Sequence, residues 1–292
     1  MNRAVLEITT NIGCSNFCPY CPQDILKNSY LKRSDTLAMD FSLFKACLDK
    51  VPTDVDIHFS GFSEPWLNPE CTRMLLYAKD RGHRLEVSTT LKGLSPSDIE
   101  FIEDVVFRYF RVHLPSQREE IEVDKDYLGV LLKLSESRLK VFYHFHGDRV
   151  HPKVKAAIKE NIVRWPMLSR GGNLKKQSGF SLEKKGGTLR CFFSLRQNVL
   201  LPNGDVTLCC SDYGLKHILG NLLSANYDSL FLGREFIKVK KGLEDESLDI
   251  LCRFCDRFGY NSNHFKLLKR YWAQIKNIYS LNDLCHRFKV LF

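Results

Sequence analysis

The sequence predicts an α/β protein in which a partial (β/α)6 barrel over residues 1–168 passes through a linker at 169–190 into a small α+β domain at 191–262, followed by an amphipathic helix and tail at 263–292. Three observations carry this reading. Short β-branched runs alternate with amphipathic stretches from residue 4 to about 165, as in βα units wound around a parallel sheet. The composition shifts at SRGGNLKKQSGFSLEKKGGTLR, which holds five glycines and six Lys or Arg in 22 residues and little apolar material, the mark of a connection. Beyond it, Pro202-Asn203-Gly204-Asp205 stands between two alternating runs, a hairpin signal.

In chain order, the expected strands are AVLEIT (4–9), DIHFSG (56–61), RLEVSTT (84–90), FRYFRVHL (107–114) and LKVFYHF (139–145), with a weaker sixth at 162–167. Helix starts are signalled by Asp40 before FSLFKACLDK, by Asn68 with Pro69 and by Ser95 with Pro96, and Gly82 closes the second of these helices. Each start offers a side-chain acceptor or a fixed φ ahead of a periodic run, and glycine supplies the left-handed stop. Six βα units are too few to close an eight-fold barrel. In the second domain a helix is expected near 228–241, then a CRFC loop at 252–255 and a basic amphipathic helix from His264. The FKLLKRYWAQIKNIY stripe of that helix suits packing on its own domain, with a membrane surface as the lesser alternative.

With 292 residues, 44% of them hydrophobic, the chain can bury a continuous core, which sets aside disorder and fibrous structure. No apolar run approaches the roughly 18 to 20 residues of a membrane span, and the N-terminus lacks a signal-peptide core, so the cytoplasm is the expected location. An excess of 43 Lys and Arg over 34 Asp and Glu gives a net charge of +9. That sign suits an anionic substrate or nucleic acid, but no groove-reading module accompanies it and nucleic acid is not expected. Eleven cysteines are too few for a disulfide scaffold and more than packing needs in a reducing compartment.

The cysteines fall into groups. Cys14, Cys18 and Cys21 lie in CSNFCPYC, spaced Cx3Cx2C, in the loop after the first strand. Three thiolates so close can hold three irons of a [4Fe–4S] cluster and leave the fourth open; a structural zinc site wants a fourth ligand, and none lies nearby at a suitable spacing. Cys191 and Cys209 flank the hairpin, and Cys252 and Cys255 form a CxxC turn. Together these four can enclose a complete four-thiolate cluster or a zinc ribbon ion. Cys47, Cys71 and Cys285 read as packing residues.

At CSNFCPYC the chain resembles the radical S-adenosylmethionine enzymes, whose motif places an aromatic before the third cysteine, here Tyr20. The resemblance implies a TIM-like partial barrel, a three-cysteine [4Fe–4S] cluster and S-adenosyl-L-methionine chelated at its open iron. It continues at GFSEP, 61–65, where relatives carry Gly-Gly-Glu-Pro. Gly61 and Glu64 are thereby implied in holding the methionine moiety, although Phe62-Ser63 stands in place of the second glycine. Ser88 and Thr90 fall where relatives put polar residues facing the cofactor. The order Cys191-x12-Gly204-x4-Cys209, then Cys252-x2-Cys255, is similar to a SPASM or shorter twitch domain, and Asn261 occupies the position of the next SPASM cysteine. The resemblance therefore implies a four-cysteine twitch holding an auxiliary [4Fe–4S] cluster, similar to that of aminocyclitol dehydrogenases, and zinc recedes as the alternative.

The implied activity is reductive cleavage of S-adenosylmethionine to a 5′-deoxyadenosyl radical that abstracts hydrogen from a substrate carbon. The favoured outcome is dehydrogenation of a sugar, aminocyclitol or nucleotide-sugar carbinol with the auxiliary cluster as electron acceptor; the alternative is an epimerase or ribosomal-peptide maturase. The implied partners are a small-molecule or carbohydrate substrate, with an anionic handle suited to the basic balance, and a flavodoxin- or ferredoxin-type reductant. Three residues are candidates for catalysis. Arg170, in SRGGN, either contacts substrate or cofactor or is a solvated linker residue. Cys210, expected by strand alternation to point away from Cys209, is either a hydrogen-atom donor or a small buried hydrophobe. His113, at the end of the fourth strand, lines the cavity or is a satisfied structural histidine. His144 and His146 flank Phe145 at the end of the fifth strand, and one of them is expected to face the pocket.

Overall fold

The computed structural model describes residues 3–165, 167–174, 183–191 and 195–256. Six parallel strands come first: β1 (Val5–Ile8), β2 (Asp56–Phe59), β3 (Leu85–Thr89), β4 (Phe107–His113), β5 (Val141–Phe145) and β6 (Ile162–Arg164). They pair in sequence order, each inside the run the sequence marks. Between them lie α1 (Gln23–Tyr30), α2 (Phe41–Leu48), α3 (Cys71–Asp80), α4 (Pro96–Ile102), α5 (Lys125–Glu136) and α6 (Pro152–Ala157).

The start of α2 is capped by Asp40, whose Oδ1 accepts from the Leu43 amide at 2.7 Å, and α4 opens with a Ser95/Asp98 capping box. Helix α3 begins later than Asn68-Pro69 predicts. The Asn68 amide group donates instead to the Thr10 and Met39 carbonyls, at 2.9 and 2.7 Å, so this residue ties the loop after β1 to the approach of α3. Gly82 closes α3 with φ 85°.

Alternate strand residues pack against the helices: Leu6, Ile8, Ile57, Phe59, Val87, Phe110 and Val112 belong to one buried core, as do Cys47 and Cys71. The intervening residues, among them Glu7, His58, Glu86, Ser88, Arg111 and His113, face the other way by the two-residue period of a strand, so the concave face of the incomplete barrel is polar. At the amino ends of the strands, Arg3, Arg84 and Arg108 converge on the buried Asp56 carboxylate at 3.0, 2.8 and 3.1 Å. This end is closed by ions, and the carboxyl ends are left for chemistry.

The sheet continues past the linker. Strand β7 (Gln197–Leu200) pairs parallel with β1 on the side opposite β2, and β8 (Asp205–Thr207) and β9 (Ile218–Asn221) extend it antiparallel, giving the order β6-β5-β4-β3-β2-β1-β7-β8-β9. The hairpin between β7 and β8 turns at Asn203-Gly204 as expected; Gly204 has φ 85°, and a Cβ there would press on the Asn221 and Leu223 side chains. The helix expected near 228–241 is divided into a 3-10 turn at Tyr227–Phe231 and α7 (Arg234–Gly242), with Gly233 between them. A second 3-10 turn, Leu251–Phe254, carries CRFC. The expected helix from His264, with Cys285, and the Asn261 position lie outside the described residues. Among the described residues no helix is long and apolar enough to cross a membrane.

Candidate active site

The first site is assembled by the loops after β1, β2 and β3. Cys14, Cys18 and Cys21 follow β1, the last two in a turn closed by the Cys21 amide on the Cys18 carbonyl at 3.0 Å. All three thiols are free and partly exposed, and Cys18 interacts electrostatically with both Cys21 and Cys14. Burial pushes the Cys14 thiol up and the Cys18 thiol up to about 12. Such thiols are poor nucleophiles on their own and become thiolates when a metal takes the proton's place, which fits a ligand set.

Gly61 has φ 75°, and a Cβ there would collide with the Thr9 hydroxyl; the same hydroxyl accepts from the Phe62 amide at 3.1 Å. The loop after β2 can therefore approach β1 only as glycine. It delivers Glu64, a buried carboxylate that accepts from the Thr89 hydroxyl at 2.5 Å and from the Thr90 amide and hydroxyl at 2.6 and 2.8 Å. Burial pushes the Glu64 carboxyl up to about 7, against the pull of those donors. Glu64 bears electrostatically on Cys14, and Asn16 of the cysteine loop donates to the Thr90 hydroxyl at 2.9 Å. Gly61, Glu64 and Thr90 are thus brought to the cysteine loop. Ser88 instead pairs with His58 Nε2 at 2.9 Å on the polar face of the barrel.

Tyr20 is buried, with its hydroxyl 2.8 Å from His113 Nε2 and its ring stacked on that imidazole at 5.3 Å and tilted against His146 at 4.7 Å. The sequence places one of His144 and His146 at the pocket; the structure gathers both with His113. Arg170 is not a solvated linker residue. It is partly buried, holds φ 53°, directs its Nε to the Tyr20 carbonyl at 3.4 Å and interacts electrostatically with Tyr213, Cys21 and Cys210. Asn173 fixes this turn by donating to the Arg170 and Ser211 carbonyls at 2.7 and 2.9 Å.

The second site draws on three separated segments. Cys252 interacts electrostatically with Cys191 and Cys255, and Cys209 with Cys255; all four thiols are free, and burial pushes those of Cys209 and Cys252 well up. Cys209 and Cys210 lie past the end of β8 in a turn, so strand alternation does not orient them. Cys209 interacts electrostatically with both Cys210 and Cys255, and Cys210 also with Arg170 and Tyr213.

Sequence reasoning missed the residues that hold this second set. Arg253, fully buried between the two cysteines of CRFC, donates to the Lys185, Gly187 and Gly242 carbonyls at 3.1, 2.5 and 2.8 Å. His217 is also buried; its Nε2 accepts from the Leu251 amide at 2.9 Å, so Nδ1 carries the proton toward Glu235 at 2.7 Å. Asp212 accepts from the Thr207 hydroxyl and the His217 amide at 2.7 and 2.8 Å. The one available signal was a charged residue inside a CxxC turn. In the loop that follows Cys209 and Cys210, the Tyr213 hydroxyl lies 3.6 Å from Cys21 Sγ and its ring meets Phe62 edge-on at 4.8 Å. In chemistry the donor sets are all thiolate, three in one and four in the other, which suits an open and a closed [4Fe–4S] cluster.

Residues 191–256 match the SPASM iron–sulfur cluster-binding domain. Over 265 residues, covering 87% of this chain and 92% of the relative, the sequence is 22% identical to an S-adenosyl-L-methionine-dependent 2-deoxy-scyllo-inosamine dehydrogenase of Niallia circulans. Among solved structures, BtrN in complex with AdoMet and 2-DOIA superposes with a TM-score of 0.60 at 17% identity, covering 88% of this chain and 94% of that one. Streptococcus suis SuiB bound to the precursor peptide SuiA superposes with a TM-score of 0.60 at 11% identity, covering 87% and 71%. Native anSMEcpe with bound AdoMet gives 0.56 at 14% identity, covering 87% and 89%. The motif, the fold, the cluster-binding domain and the relatives agree: over most of its length the chain is similar to radical S-adenosylmethionine enzymes with a C-terminal SPASM-type iron–sulfur domain.

Proposed function

We propose that this enzyme dehydrogenates a carbinol of an aminocyclitol or related sugar, with Cys14, Cys18 and Cys21 holding the cofactor-binding cluster and Cys191, Cys209, Cys252 and Cys255 holding an auxiliary one. The observation that carries this reading is the contact of Tyr213, four residues after Cys209 in the chain, with Cys21, which ties the segment bearing one of the four thiols to the cofactor loop. When bound, S-adenosylmethionine and the clusters supply a 5′-deoxyadenosyl radical and an acceptor for an electron.

The chain's own residues prepare the site. Glu64, pre-oriented by Thr89 and Thr90, offers a fixed carboxylate beside Cys14 for the amino group of the methionine moiety. Tyr20, Phe62 and Tyr213 are themselves buried and back the loop with aromatic surface. Arg170 sits where the linker meets Tyr20 and Cys210, so its guanidinium is placed to hold a substrate hydroxyl or an anionic group on the substrate. A flavodoxin- or ferredoxin-type protein is the electron source in this reading, and free thiol ligands suit the reducing cytoplasm.

The experiment is incubation of the reconstituted enzyme with S-adenosylmethionine, a reductant and a panel of small carbinols that includes 2-deoxy-scyllo-inosamine. The expected product is lighter by two hydrogens and forms with 5′-deoxyadenosine. Unchanged mass with deuterium gained from solvent would overturn dehydrogenation in favour of epimerisation, a reading favoured by the position of Cys210 beside Arg170.

A further inference from the structure

His113 at the end of β4 and His144 and His146 at the end of β5 are three imidazoles that the cluster chemistry does not use. Each contributes one ring nitrogen to a group in which all three ligand atoms lie within 4.8 Å of one another; among the described residues, no other set of His, Cys, Asp or Glu side chains forms such a group. We propose that these histidines form a mononuclear site for a first-row divalent metal ion, of which zinc is the simplest case, with the rest of its coordination open to a hydroxide or a substrate oxygen.

Four observations support it. His146 Nδ1 lies 3.0 Å from the Trp165 carbonyl; a carbonyl only accepts, so Nδ1 carries the proton and Nε2 keeps its lone pair. A ligating histidine is commonly fixed in this way, through its other nitrogen. His144 Nδ1 is buried without a hydrogen-bond partner among the described residues, an orphaned acceptor in a polar cluster, which costs free energy unless something fills the position. The rings are braced: His144 packs on Trp165 with centroids 4.3 Å apart, and His113 is held against Tyr20. Burial lowers the proton affinity of all three imidazoles, and the neutral imidazole is the form that ligates.

The surrounding charge shapes the ligand. Arg111 bears on His113 and His144, and Arg170 on His113 and His146, which disfavours a bare dication. Glu120 and Cys18 act on the neighbouring Tyr20 from the negative side. The site therefore takes the ion together with an anionic oxygen, whose charge the field of the two guanidiniums favours. Imidazole ligands suit zinc, iron, copper or nickel.

The test needs no turnover and is independent of the dehydrogenase reading. Reconstituted holoenzyme is incubated with Zn²⁺, passed over a chelating resin, and examined by elemental analysis and zinc-edge X-ray absorption. The expected result is about one zinc per chain with nitrogen and oxygen neighbours at about 2.0–2.1 Å. His146→Ala and, as a gentler change on the partly exposed ring, His113→Gln should weaken retention roughly tenfold or more, with iron content unchanged. Loss of zinc on the resin, sulfur neighbours at about 2.3 Å, or equal retention by the variants would overturn the proposal.

Discussion

Cys14, Cys18 and Cys21 come from one loop of eight residues and all stay partly exposed, whereas Cys191, Cys209, Cys252 and Cys255 come from three segments and Cys252 and Cys255 are buried. The first set is local: its spacing survives wherever the loop goes, and its exposure leaves a face for a cofactor. The second exists only once β7 has paired with β1, the β7–β8 hairpin has formed and Arg253 has gathered Lys185, Gly187 and Gly242. A ligand set of the first kind supports chemistry at little cost to the fold. One of the second kind doubles as a staple, since metal binding and folding are linked there.

That contrast is broken or sharpened by substitution. The largest effect is expected from Cys18→Ala, which should abolish reductive cleavage of S-adenosylmethionine, assayed as 5′-deoxyadenosine, with little change in the unfolding temperature; persistent cleavage would remove the first set from the account. Cys209→Ala should stop substrate turnover while leaving most of that cleavage in place, and should lower the unfolding temperature by several degrees. If turnover persists, the second set is a staple only. Glu64→Gln should raise the apparent Kd for S-adenosylmethionine roughly tenfold or more, as expected for one hydrogen bond to a charged group worth about 1.5–3 kcal/mol. The smallest functional effect belongs to Arg253→Leu, which leaves three carbonyls without their donor and should cost on the order of 2–3 kcal/mol of stability, seen in denaturant unfolding, with cleavage activity near normal in the protein that stays folded.

Legibility in the sequence follows the same divide. The six barrel strands, the caps at Asp40 and Ser95 and the stop at Gly82 are local signals, and each stands where its residues place it. Asn68 misleads because its side chain is drawn to Thr10 and Met39 across the fold, a partner no local pattern shows. The cysteine sets are legible through spacing. Arg170 is not, because a Gly-rich basic stretch reads the same whether its arginine is in solvent or folded against Tyr20. His217, Asp212 and the convergence of His113 with His144 and His146 depend on which strand lies beside which, and strand order is a property of the sheet, not of any segment.

The central claim is that one chain carries an open three-cysteine cluster and a closed four-cysteine cluster, and iron analysis with electron paramagnetic resonance tests it most directly. The anaerobically reconstituted protein should hold about eight irons, and about four remain when either Cys14, Cys18 and Cys21 or Cys252 and Cys255 are replaced by alanine. S-adenosylmethionine should alter only the signal that the first of these variants lacks. About four irons in the unsubstituted protein, with zinc bound by Cys191, Cys209, Cys252 and Cys255, would contradict it.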